Sequence, residues 1–135
     1  MTAAKVIDDL ASKILDSTKS KLTKEDQDNF GFDPITILMM ISIILTLVRV
    51  IQECRKDKSK LMKQSEKTEY LCTEIKSLSF NNTLFNRLRI RSVIKKHLNK
   101  SQNKRYGESL LQALLEAGKT ITDEQVSALL EYKNV

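Results

Sequence analysis

The sequence has no tryptophan, one proline, three glycines and two cysteines in 135 residues. With so few turn formers, a many-stranded sheet has little on which to reverse its strands. The expected fold class is therefore all-α, built from long helices. Aromatic residues make up 5% of the chain, so a core must come mainly from Leu, Ile, Val and Ala. On that ground the expectation is an extended helical architecture rather than a globule.

Other absences bear on chemistry. The glycines stand alone at 31, 107 and 118, so no glycine-rich loop cradles a phosphate. The single histidine, His97, has no cluster of Cys, Asp or Glu around it from which to build a metal site or a triad. No catalytic, cofactor-binding or metal-ligating residue is assigned, and neither enzyme activity nor a small-molecule substrate is expected. Cys54 and Cys72 lie eighteen residues apart. On one continuous helix they would be about 27 Å apart and unable to pair. Unpaired thiols point to a reducing compartment, with a disulfide between chains as the alternative.

What stands out instead is the run Ile35 to Ile51, in which only Thr36, Ser42, Thr46 and Arg49 interrupt strongly apolar residues. As a helix it is about 25 Å long, slightly short of the roughly 30 Å hydrocarbon layer of a bilayer. Ser42, Thr46, Arg49 and Glu53 recur every three or four residues and form one polar stripe, which Lys56 and Lys60 prolong. Such a helix needs partner helices. Its stripe is expected to face inward, toward the seam of a soluble homo-oligomer or the lumen of a membrane pore.

The apolar run divides the charge. Residues 1–33 carry five lysines against seven acids, whereas residues 34–135 carry eighteen Lys and Arg against ten acids. If the run spans a bilayer, Arg55, Lys56, Lys58, Lys60, Lys63 and Lys67 outnumber Lys19, Lys21 and Lys24 on the other side. The orientation is then N-out and C-in. The first 34 residues lack the basic start, early apolar stretch and small-residue site of a secretory signal, so the run is expected to be retained.

Three segments follow along the chain. Residues 1–29 read as an amphipathic helix and a linker. Val6, Ile7, Leu10, Ile14 and Leu15 give the apolar side, and acids mixed into the polar side favour packing on another helix over lying on a membrane. The linker ends in Phe30, Gly31 and Phe32, whose rings suit a membrane interface or a packing groove. Residues 30–78 read as one long helix. It starts at the capping pair Asp33-Pro34, contains the assembly or membrane segment 35–51 and continues as a charged stalk.

Residues 79–135 open with a turn and cap at Asn81, Asn82 and Thr83. A basic helix follows over 84–105, containing Arg87, Arg89, Arg91, Lys95 and Lys96 and no acid. These cations are the candidate docking residues, facing an acidic partner surface, lipid headgroups or, without sequence specificity, nucleic acid. The segment closes with a helical hairpin. Its first helix carries Leu110, Leu111, Leu114 and Leu115 and stops at Gly118. Its second begins at the capping box Thr122/Gln125 and carries Val126, Leu129 and Leu130. The acids Asp123, Glu124 and Glu131, against Lys133 alone, disfavour reading this hairpin as a DNA-binding helix-turn-helix.

The order Phe32-Asp33-Pro34-Ile35-Thr36-Ile37-Leu38, then Arg49-Val50-Ile51-Gln52-Glu53-Cys54, a basic segment and the closing Tyr106-Gly107 with its leucine-rich end resembles small proteins of marine tailed phages, cyanophages among them. The resemblance covers residues 30–135 and implies a viral source rather than a mechanism. The expected function is a non-enzymatic virion assembly protein that oligomerises through its apolar helix and meets other virion proteins through its basic helices. The alternative is a single-span protein of the host inner membrane, holin-like or inserted on ejection.

Overall fold

A computed structural model describes residues 2–31 and 33–132, and Phe32 and Lys133, named above, lie outside the described residues. Eight helices and no strand are found among the described residues: α1 (Ala3–Ser20), α2 (Lys24–Asn29), α3 (Pro34–Cys54), α4 (Lys56–Lys60), α5 (Gln64–Ser79), α6 (Leu84–His97), α7 (Lys100–Thr120) and α8 (Asp123–Glu131). The chain is all-α, as its scarcity of turn residues implies.

Side-chain caps fix most of the helix starts. Thr2, Thr23, Asp33, Thr83, Asn99 and Thr122 each accept a hydrogen bond from a backbone N–H three residues on. At α3, Asp33 Oδ1 takes the Thr36 N–H at 2.7 Å, with Pro34 at the first turn. That bond holds the Asp33 carboxyl below its ordinary range. The Thr122/Gln125 capping box is present, and a second box pairs Asn99 with Gln102. The second box divides the expected single basic helix 84–105 into α6 and α7.

The long helix expected over residues 30–78 is not continuous. It ends at Cys54, passes through the short α4 and returns as α5, which packs against α3. Two contacts tie the reversal. Arg55 Nε meets Glu74 Oε2 at 3.4 Å, and the buried Ser79 Oγ donates to the Leu47 carbonyl at 3.4 Å. The two helices are therefore antiparallel. Leu71, Cys72 and Ile75 of α5 gain burial by turning back. The extended rod is replaced by a chain folded around α3.

The partner helices that α3 requires are in its own chain: α1, α5 and α6, with a smaller contribution from α8. Met40, Ile41, Ile43, Ile44, Leu45, Leu47, Val48 and Ile51 are buried among them. Each fully buried aliphatic side chain contributes about 1.5–3 kcal/mol before chain entropy is subtracted. The expected amphipathic α1 packs on α3, α7 and α8, burying Ile7, Leu10, Ile14 and Leu15. All three segments of the sequence thus supply one core.

Three smaller expectations also change. The predicted hairpin does not form, because α7 and α8 both pack on α1 rather than principally on each other. The helix α7 runs through Gly118 to Thr120. Cys54 is the exposed last residue of α3 and Cys72 is buried in α5, so the two free thiols are on different helices. Phe30, by contrast, does fill a packing groove: its ring lies 5.1 Å from that of Tyr106 and ties the linker to α7.

Candidate docking surface

The helix α6 is apolar on two sides. Ile90, Val93 and Ile94 point into the core, whereas Leu84, Phe85 and Leu88 are 74%, 71% and 55% exposed. No acidic residue occurs between Glu74 and Glu108, so the charged groups on this outward face are all basic. Its start is fixed by Thr83, which accepts from the Asn86 N–H at 3.2 Å. Asn86 is itself buried, and its Nδ2 donates to the Asn81 carbonyl at 2.6 Å.

The five cations singled out in sequence do not act alike. Arg91 Nη2 lies 3.2 Å from Glu108 Oε2, and Arg87 Nη2 lies 3.9 Å from Glu108 Oε1, so both fasten α6 to α7. Gln112 donates to Glu108 Oε1 at 3.2 Å. That bond most strongly, opposed in part by burial and helped by Arg91 and then Arg87, holds the Glu108 carboxyl below the usual carboxylate range. Arg89 instead lies over the Phe85 ring, 5.0 Å from its centroid. Lys95 and Lys96 are exposed and make no ion pair among the described residues. Lys100, Lys104 and Arg105 extend the exposed basic surface onto the start of α7.

The geometry defines a surface with an apolar end at Leu84, Phe85 and Leu88 and a basic end running from Arg89 to Arg105. A guanidinium stacked on an aromatic ring is held ready to meet a carboxylate without first being ordered. His97 takes no part in this surface, since its Nδ1 lies 2.9 Å from the Val93 carbonyl within α6. Among the described residues, no group of three His, Cys, Asp or Glu side chains is placed to hold a metal ion.

The polar stripe of α3 lies on the outer surface of the chain. Ser42, Arg49 and Glu53 are exposed, Thr46 is half-buried and donates to the Ser42 carbonyl at 2.7 Å. Most apolar residues from Met40 onward face inward because α1, α5 and α6 cover them, whereas Ile35 and Leu38 at the start of the helix are exposed. By length and composition α3 is the one helix among the described residues that is long and apolar enough to cross a membrane, with 44% of its most apolar stretch buried inside the chain.

Glu108 as the partner of Arg87 and Arg91, and the outward turn of Leu84, Phe85 and Leu88, were not read from sequence. A helix with apolar residues all round gives no periodic signal for which side is buried. Comparison with known protein families, curated proteins and solved structures finds no match.

Proposed function

We propose that the chain is a non-enzymatic assembly protein of a viral particle that docks through the outer face of α6 and the start of α7 onto an acidic partner protein. The viral setting rests on the sequence resemblance. The docking surface rests on one observation: Phe85 with Arg89 stacked on it, flanked by exposed Leu84 and Leu88. Aromatic and arginine side chains at the centre of a patch, ringed by charge, have the composition of protein interfaces. In this reading α3 is the chain's own core helix and not the seam of an oligomer.

The test is particle composition. Particles of the source virus should contain the chain, and the double substitution Phe85→Asp with Arg89→Glu should remove it from them while leaving its helical circular dichroism unchanged. Retention of that variant in particles would contradict the assignment of the surface. Recovery of the wild-type chain only in host inner membranes would favour the single-span reading, which draws on the length and apolarity of α3 but requires that helix to leave its place in the core.

A further inference from the structure

The most exposed large apolar side chain of the described residues is Leu61, at 93%, in the turn that joins α4 to α5. It belongs to neither the core nor the α6 surface. Around it stands the densest run of lysines in the chain: Lys56, Lys58, Lys60, Lys63 and Lys67. Lys56, Lys60 and Lys67 line a cleft of about 400 Å³ beside this turn, together with Gln52, Glu53 and Ser59. Lys56 and Lys60 are one helical turn apart on α4, and Lys67 comes from α5.

We infer that this turn docks on a membrane carrying anionic phospholipid, with Leu61 entering the acyl boundary and the lysines of the cleft receiving lipid phosphate. The local acids do not neutralise the site. Glu53, Asp57, Glu66 and Glu69 oppose five lysines, Arg55 is already taken by Glu74, and Lys56, Lys60 and Lys67 make no ion pair among the described residues. Ser59 is buried, and its hydroxyl donates to the Lys56 carbonyl at 3.1 Å, so α4 is a formed turn that holds its lysines in place.

The composition distinguishes this site from α6. One exposed leucine in a lysine-rich turn offers little area for a protein hot spot, and no arginine or ring is free at the turn to stack on a base: Arg55 pairs with Glu74, and Tyr70 faces Lys58 at 5.2 Å. A single apolar tip with point charges around it does suit a headgroup layer over hydrocarbon.

The test is co-sedimentation of the full chain with vesicles of phosphatidylcholine alone and of phosphatidylcholine mixed with phosphatidylserine. The chain should bind the mixed vesicles and leave the neutral ones in solution. Leu61→Asp and the double variant Lys56→Gln/Lys60→Gln should each weaken binding on the order of tenfold or more, and added salt should weaken it further. Phe85→Ala/Leu88→Ala should bind vesicles as the wild type does, which separates this site from the α6 surface. Leu61 is so exposed that its substitution leaves the fold intact, to be checked by circular dichroism. Absent binding, equal binding to neutral vesicles, or binding insensitive to the Leu61 and lysine variants would overturn the inference. So would equal affinity for soluble glycerophosphoserine, or a preference for duplex DNA over vesicles.

Discussion

Gly118 of α7 lies directly against Phe80, the residue that closes α5, so that a β-carbon at 118 would overlap the Phe80 β-carbon and come within 2.6 Å of its carbonyl oxygen. The glycine is inside the helix because two elements cross there with no room for a side chain, not because the helix stops. Ordinarily alanine is about 1 kcal/mol better than glycine inside a helix. Here the obstacle is backbone and a β-carbon, neither of which can swing aside, and overpacking costs about 1–3 kcal/mol. Gly118→Ala should lower the stability measured by chemical denaturation.

Gly107 provides the contrast. A β-carbon there would meet Asn103 Oδ1 at 2.6 Å, the far end of a side chain that can rotate away, with Ile94 no nearer than 4.0 Å. The helix preference for alanine should then decide the sign. Gly107→Ala is expected to be neutral or to raise stability by up to about 1 kcal/mol. Equal losses at both positions would mean that the Phe80 contact is not what sets the cost.

Ile44 is fully buried on α3, whereas Arg49 on the same helix is exposed. Ile44→Ala should destabilise by about 2–5 kcal/mol through the cavity it leaves. Arg49→Ala should stay within about 0.5 kcal/mol. Denaturation midpoints of the two variants in the absence of detergent decide whether the polar stripe faces water. A large loss at Arg49 with none at Ile44 would reverse the orientation given for the helix.

The Glu108 cluster predicts a dependence on pH. Its carboxyl is held below the ordinary 4.5 in the folded chain by the Gln112 amide and then by Arg91 and Arg87. A depressed folded value stabilises the fold above the unfolded value, and that contribution is lost as pH falls from about 4.5 through the folded value. The side chain is 61% exposed, so solvent screening keeps the effect below about 1 kcal/mol. Glu108→Gln should flatten this part of the stability profile, and a profile identical to that of the wild type would remove the cluster from the account.

The two thiols should separate in time. Cys54 is exposed and should react at once with a disulfide reagent under native conditions. Cys72, buried 3.6 Å from the Ser127 hydroxyl, should react only as the chain opens. Simultaneous reaction of both would contradict the packing of α5 on α3 and α8.

Much of the local structure is legible in the sequence. Asp33-Pro34 and Thr122/Gln125 mark helix starts because caps are short-range chemistry, and the apolar spacing of α1 identifies its buried side. The reversal after Cys54 is harder to read, since neither glycine nor proline marks it. The gain from burying Leu71, Cys72 and Ile75 of α5 is a long-range effect that no local pattern reports. Asn99/Gln102 was a readable signal for the break between α6 and α7, hidden by the unbroken basic composition of 84–105. The candidate docking surface was legible as residues but not as geometry: Arg87, Arg89 and Arg91 look alike in sequence, yet the first and third are fastened to Glu108 and the second rests on Phe85.

The apolar side of α3 from Met40 to Ile51 is buried by its own chain. Amide hydrogen exchange on the detergent-free chain tests this most directly. The amides from Ile43 to Ile51 should be among the slowest to exchange, opening only with global unfolding. Rapid exchange along α3, or protection that appears only when detergent or lipid is added, would contradict it.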